Sequence, residues 1–519
     1  MPKPRMPHNF FRGLTLAVFA AVSVAPLAAL GWRSLFEGSV WRFETWRAVF
    51  AEPRQATILA NTLAVSLGTC LTSLLAGGGI ALSLQYCPRI LRAFFTFLLC
   101  VPVLIPPCVF SAAWLDALTR MGILAPQFTA EPGVPFPFRL LSVILVFTLS
   151  YYPFVFLCTV AALQRFDRRM LESARLIADP VQTFFVVRFP LCAPWVLTGV
   201  GLVFLLTLTE PAVPALFQVN TCSVEIFTEL SAFHETGRAV AQALPLLAAG
   251  SAILWAWGRW VRPRQQWLAS TPKPAGRVPV GWKRALLASG ACLFLAALAV
   301  GVPLSLLAGR IESWAQLMLA WSDARREILT SLLQSATAAT VLTALGFAMA
   351  WFANDSPRLG LLFRLSLIPF LLTGPLLGTG LRALWNHPGP TGFVSRSFLI
   401  LVLANTAKYL YFAYLSERIA LLALSRPRLP AARIHRAAPV HVAVWGIACL
   451  LSLQELGAVV MVASPDVMPL PVRVHSLMHL GPSAAVASLC LAMASLLFAT
   501  GLCTAVFCFA CGRVLHAYR

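Results

Sequence analysis

The sequence predicts an all-α polytopic membrane protein with about twelve transmembrane helices in two tandem six-helix lobes. Three observations carry that expectation. The chain is 59% hydrophobic and only 11% charged over 519 residues, whereas about a quarter of the residues in a soluble globular chain are charged. Its apolar residues fall in repeated continuous runs of about 20, the length an α-helix needs to cross the hydrocarbon core. A closed barrel would alternate polar and apolar residues instead. Finally, the stretches on either side of a Pro-rich basic segment carry the same signals in the same order.

Taken in order, the runs lie at roughly 13–31, 56–84, 93–115, 139–162, 194–217 and 239–260, then at 285–307, 329–353, 361–384, 396–416, 440–463 and 483–509. Lys3, Arg5 and Arg12 before Leu14–Leu30 also fit a signal peptide. A long apolar run leading into an outside loop is more simply the first span. The formal net charge of +21 raises nucleic acid as a partner, but the basic residues sit in short loops between spans. Arg89 and Arg92, then Arg165, Arg168, Arg169, Arg175 and Arg188, then Arg418, Arg426, Arg428, Arg433 and Arg436 mark inside loops. Glu225, Glu229 and Glu235 balance Arg238 outside, although the first outside loop departs from the rule with Arg33, Arg42, Arg47 and Arg54. Both termini are therefore expected in the cytoplasm of a multi-pass inner-membrane protein. The positive charge reads as anchoring to an anionic lipid leaflet, with no nucleic acid.

Residues 262–284 are basic, Pro-rich and free of acids, and read as a cytoplasmic linker between a first lobe, 1–261, and a second, 285–519. The lobes repeat. Asn61-Thr62-Leu63 opens one span and Thr330-Ser331-Leu332 its counterpart. The next spans carry proline clusters, Pro102, Pro106 and Pro107 in one lobe and Pro369, Gly374 and Pro375 in the other. Val224-Glu225-Ile226-Phe227 corresponds to Val472-Arg473-Val474-His475. A tandem repeat of this kind implies a pseudo-twofold axis along the membrane normal, with a pathway at the lobe interface.

The candidate pathway residues are Glu210, in LTLTEPAVP, and Gln454 with Glu455, in LSLQELGAV, at corresponding places in the fifth span of each lobe. A carboxylate inside a span costs roughly 2.5–3.5 kcal/mol on insertion scales, so it normally faces protein or water. Thr207, Thr209 and Ser452 add oxygens nearby, and Pro211 and Gly457 can break the helix and free its carbonyls. The plainer alternative is that each acid lies near the outer boundary and meets water. No catalytic residues, cofactor or metal site are expected. The thirteen cysteines are scattered and mostly lie in apolar runs. Cys508 to Cys511 is an unmatched CxxC, and His475 and His479 have metal-ligand spacing without an accompanying Glu.

Between the fourth and fifth spans, Arg165, Arg169, Glu172 and Arg175 are spaced by three and four, which predicts a helix with one charged face. Asp179-Pro180 breaks it, an apolar stretch Phe184–Val187 follows, and the chain is expected to turn at Pro190 and Pro194. The order Glu172-Ser173-Ala174, a break, an aromatic-apolar patch and then Phe189-Pro190 resembles the coupling loop of binding-protein-dependent ABC importer permeases. The Gly usual in that loop is missing. The second lobe carries Pro430-Ala431-Ala432 and Pro439 at the corresponding places. Its loop is shorter and lacks the acid.

The whole chain is similar to the fused two-lobed permeases of that group, which handle ferric iron and, in close relatives, thiamine. VEIFTELSAFHETG in the first lobe and LPVRVHSLMHLG in the second carry the iron-type likeness. The resemblance implies a type I importer permease fold, and it implies an ATPase-coupling role for Glu172, Ser173, Ala174, Pro190, Ala431, Ala432 and Pro439. The implied partners are an extracytoplasmic substrate-binding protein and cytoplasmic ABC ATPase subunits, as a homodimer. The chain has no Gly-rich loop ending in Gly-Lys-Ser/Thr, so it is expected to be a transport subunit with no enzymatic activity of its own. Ferric iron, a hard ion that prefers oxygen ligands, is the expected cargo. The alternative is an ion-gradient-driven secondary transporter that titrates Glu210 or Glu455. A membrane scaffold, the third reading, leaves the repeat and the acids unexplained.

Overall fold

The computed structural model describes residues 8–37, 40–41, 43–121, 136–164, 174, 176, 179–261, 281–387, 389, 392–424, 431–478 and 484–517. Among them, 9 helices are long and apolar enough to cross a membrane, and two sharply bent helix pairs bring the count up to 11 if each pair is one span. The all-α expectation holds, with a span count close to the one read from the sequence. The run at 440–463 is divided: the apolar helix Pro439–Gln454 stops, and Gly457–Val462 resumes beyond a break. Extended structure among the described residues is confined to the pairing of Phe36–Glu37 with Val40–Trp41 and one bridge, Ser464 to Val467.

The bent pairs lie at the two proline clusters. Ile90–Leu104 and Pro107–Arg120 meet at 92°, and Pro357–Leu371 and Gly374–Trp385 meet at 113°. Proline lacks an N–H and pushes the residue before it toward extended backbone. Pro106 and Pro107 break the first pair in this way. In the second, Leu372 and Thr373 leave the helix with ψ of 148° and 141°, just ahead of Gly374 and Pro375.

The chain packs as two compact units, and each draws helices from both sides of the 262–284 segment. One unit comprises residues 1–53, 225–244 and 311–519; the other comprises 54–224 and 245–310. In the first unit the Arg325–Asp355 and Leu399–Leu424 helices pack closely because Gly346 has no side chain. A Cβ there would lie 2.8 Å from the carbonyl carbon of Ala413, the small-residue contact typical of helices in lipid. Leu342, Met349, Leu410 and Tyr414 are buried in this core. The N-terminal helix belongs to the same unit, with Phe19 edge-on to Phe363 at a centroid distance of 5.3 Å.

In the second unit, Phe136–Leu163 is the most enclosed helix, buried over 67% of its apolar window. Gly77 and Gly199 press on its backbone: Cβ atoms there would come within 2.6 Å of the Tyr152 carbonyl oxygen and 2.8 Å of the Val155 Cα. The helix Trp282–Ala308 packs in this unit, and Arg310 just beyond it pairs with Asp116. The Asp116 carboxylate raises the Arg310 guanidinium above its usual value and keeps it charged. Leu67, Leu71 and Leu75, one turn apart on Pro53–Leu84, are exposed. They form an outward apolar stripe suited to hydrocarbon.

Candidate functional site

Both predicted pathway carboxylates close helix breaks, and they do so by the same local arrangement. Phe189–Thr209 ends at Glu210, whose backbone turns extended with φ −92° and ψ 113°. Pro211 has no N–H to offer, and Glu210 Oε1 instead accepts from the Ala212 N–H at 2.9 Å, capping the short helix Ala212–Leu216. In the other unit, Ala431–Gln454 ends just before Glu455, and Glu455 Oε1 accepts from the Ala458 N–H at 2.9 Å. A carboxylate at a helix N-terminus satisfies an orphan N–H and meets the positive end of the dipole. The two sites differ in burial and partners. Glu210 is half-buried and its backbone carbonyl accepts from the Ser223 hydroxyl at 3.1 Å, whereas Glu455 is 8% exposed and also accepts from the Tyr409 hydroxyl. Gln454 is half-buried.

A second pair of corresponding residues behaves in parallel. Thr62 Oγ1 accepts from the Cys222 N–H at 2.8 Å, at the start of the Cys222–Ser231 helix. Ser331 Oγ accepts from the Leu470 N–H at 2.7 Å, at the start of Leu470–Met478. In each unit, then, a hydroxyl from the helix opened by Asn61-Thr62 or Thr330-Ser331 caps a short helix distant in sequence. Each of these short helices is held further by an ion pair: Glu229 with Arg238, and Arg473 with Glu327.

The predicted coupling residues are partly described. Glu172, Ser173 and Pro430 lie outside the described residues. Ala174 is helical and half-buried, and Ala431 and Ala432 open the Ala431–Gln454 helix, their side chains outside the described set. The chain does not turn at Pro190 or Pro194. Asp179 Oδ1 accepts from the Gln182 N–H at 2.6 Å, Pro180 follows at a position where a missing N–H costs nothing, and helix runs on through a π-turn at Phe184–Arg188 into Phe189–Thr209. Pro190 lies in the first turn of that last segment. The wider π-turn accommodates Pro190, Pro194 lies inside the α-helix that follows, and Arg188 reaches Gln85. Pro439 likewise lies inside its helix.

Among the described residues no cluster of three or more His, Cys, Asp or Glu is placed to hold a metal ion. His475 packs edge-on against Phe227 at 6.2 Å, bringing together two residues at corresponding positions of the repeat. His479 lies outside the described residues, as does the Cys511 side chain.

Residues 56–267 match the family model for the inner membrane component of binding-protein-dependent transport systems. The putative 2-aminoethylphosphonate transport system permease protein PhnU of Salmonella typhimurium is 30% identical over 206 residues, 38% of this chain and 71% of that protein. The chain belongs to the binding-protein-dependent ABC importer permeases. The Fe(3+)-transport system permease protein FbpB 2 of Haemophilus influenzae is 26% identical to this permease over 178 residues, 34% of the permease and 32% of that protein. The molybdenum transport system permease protein ModB of Escherichia coli is 26% identical over 163 residues, 31% of the permease and 71% of its own length.

Asp116, Lys408 and Glu417 are buried charged residues in apolar helices that composition and spacing did not single out. Lys408 lies within the apolar span Leu399–Leu421, is 7% exposed, and donates from Nζ to the Leu372 carbonyl at 2.6 Å. The signal was available, because a lone lysine in LILVLANTAKYLYF is costly in a membrane and so marks a site. Its partner was not legible, because the Leu372 carbonyl is free only where the bent pair breaks.

Proposed function

We propose that this permease moves a solute, handed over by an extracytoplasmic binding protein, into the cytoplasm, driven by a homodimer of separate cytoplasmic ATPase subunits. Both termini lie in the cytoplasm in this reading, and the lobes 1–261 and 285–519 are joined by the 262–284 linker. One observation carries it: corresponding spans break at corresponding glutamates, each closing a new helix start. Repeat-related broken helices with polar groups at the break are what a transport pathway requires and an anchor does not. Glu210, Gln454 and Glu455 are the pathway residues. Glu172, Ser173, Ala174 and Pro190, with Ala431, Ala432 and Pro439, form the coupling surfaces, supported by the exposed apolar side chains of Val181, Phe185, Val186 and Phe189 beside the first.

For the cargo, the two carboxylates favour ferric iron, the ion named for the Haemophilus influenzae relative. A specific observation favours a second reading, an oxyanion: Lys408 places a buried ammonium at a helix break. The Salmonella and Escherichia coli relatives, named for 2-aminoethylphosphonate and molybdenum transport, fit that second reading. The test of the importer reading is reconstitution with the ATPase and binding protein. Glu172→Lys is expected to insert normally and to lower permease-stimulated ATP hydrolysis by about tenfold, the effect of roughly 1.4 kcal/mol of lost docking energy. Unchanged stimulation removes the loop from the mechanism.

A further inference from the structure

Phe227 and His475 hold corresponding places in the repeat, at the ends of VEIF and VRVH. Their rings pack edge-on, with centroids 6.2 Å apart and planes at 75°. They come from opposite sides of the 262–284 segment, yet both lie in one compact unit. Two points that a twofold axis exchanges can touch only where they meet on that axis. A tandem repeat of membrane lobes sets its transport pathway along the same axis. The contact therefore stands across the pathway. Both residues are half-buried, neither sealed in a core nor free in solution.

The two short helices that present these rings are held differently. Leu470–Met478 is fastened at both of its first two turns. Ser331 Oγ accepts from the Leu470 N–H at 2.7 Å, and Arg473 pairs with Glu327 and donates to the Asp323 carbonyl at 3.1 Å. Cys222–Ser231 instead lies between two strained residues. Among the described residues, positive φ at a non-glycine position occurs at Gln218, 53°, and at His234, 58°, one before this helix and one after it. Such backbone persists only where its surroundings hold it, and it gathers at clamps and switches. In the first turn of the same helix, the Ser223 hydroxyl donates to the Glu210 carbonyl at 3.1 Å. A shift of this helix is therefore felt at the break that Glu210 closes.

Resting on the permease reading, we propose that Phe227 and His475 form the outward gate of the pathway, with Leu470–Met478 as its fixed jaw and Cys222–Ser231 as its moving one. The structure holds the gate shut. Opening parts the two rings and draws on the Glu210 break through Ser223. The binding protein outside and the ATPase inside then bias one two-state element. The ring contact exists only in the shut state, so it sets how readily the permease opens when no binding protein is docked.

The test uses the full chain in nanodiscs with its ATPase subunits and reads ATP hydrolysis with and without the binding protein. Removing a contact made in one state alone moves population to the other. Phe227→Ala and His475→Ala are each expected to raise hydrolysis without binding protein by about two- to tenfold, the range of one aromatic pair. The double variant is expected to rise no further, because either substitution alone abolishes the contact. His475→Phe keeps a ring and is expected to rise less than His475→Ala. Phe227→Cys/His475→Cys, bridged by a short bifunctional methanethiosulfonate, is expected to lose about tenfold or more of its stimulation by the binding protein and to regain it on reduction. The parent and the single-cysteine variants, treated alike, control for the native thiols. If the cysteine pair fails to insert, the alanine set decides. Unchanged hydrolysis in both alanine variants, or additive rises in the double variant, overturn the gate and leave a fixed strut. A bridged permease that is still fully stimulated overturns it too. A parent stimulated normally beside unresponsive variants removes the gate alone, whereas a parent that never stimulates its ATPase removes the importer reading and the gate with it.

Discussion

Replacing Tyr409 with Phe deletes one hydroxyl, the donor to Glu455 Oε2, from a place where neither residue reaches water freely, Tyr409 being 9% and Glu455 8% exposed. Hydrogen bonds to charged groups contribute about 1.5–3 kcal/mol in soluble proteins, whereas interhelical hydrogen bonds in membrane proteins average only about 0.6 and reach about 1.7 kcal/mol. The charged acceptor places this bond at the top of the membrane range, so Tyr409→Phe is expected to cost about 1.5 kcal/mol, roughly a tenfold rise in the unfolding constant. In a Glu455→Gln background the acceptor is neutral, and the same substitution is expected to cost about half as much, the difference being the coupling of the pair. Glu455→Gln itself keeps an oxygen for the Ala458 N–H. Denaturant titration in mixed micelles, followed by circular dichroism, gives all four corners of the cycle. A Tyr409→Phe protein within about 0.3 kcal/mol of the parent, or strictly additive substitutions, refutes the assignment.

Three further outcomes follow from the same geometry. The Glu210→Gln/Glu455→Gln protein keeps both capping oxygens and loses both charges, so uptake of a cationic cargo is expected to fall about tenfold or more per inserted molecule, with ATPase coupling intact; full normalised uptake removes both residues from the pathway. Thr62→Val and Ser331→Ala each strip an acceptor from a short helix start and are expected to cost similar amounts, about 1 kcal/mol each, measured by the same titration; a loss confined to one would separate the two caps. Cysteines placed near Ala174 are expected to crosslink to the ATPase more readily than those near Ala432, because the Pro430–Pro439 segment is shorter in sequence than its first-lobe counterpart Glu172–Pro194, and equal yields would show the second coupling surface to be complete.

Much of this permease is written in composition and spacing. Spans, break points and the two in-span glutamates were legible because each depends on local chemistry. A run of about 20 apolar residues suits only the bilayer, Pro106-Pro107 and Gly374-Pro375 cannot continue a helix, and an acid inside an apolar run must find a partner. The reading of Pro190 as a turn failed because a proline's local signal does not say whether the helix ahead of it widens to absorb it, and here the π-turn at Phe184–Arg188 does so.

By itself the sequence determined the class of the protein, the placement of most of its spans and the correspondence of Glu210 with Glu455 and of Thr62 with Ser331. Only the tertiary structure decided that Thr62 and Ser331 cap Cys222 and Leu470, that Tyr409 serves one glutamate, that Lys408 bonds a carbonyl freed 36 positions away, and that His8–Phe19 and Trp282–Ala296 each pack in a unit built largely from the other side of the 262–284 segment. The physical reason is range. Hydropathy and proline act within a turn or two of helix, whereas a buried hydrogen bond or a glycine contact depends on which backbone the fold brings within 3 Å, a matter for helices far apart in the chain.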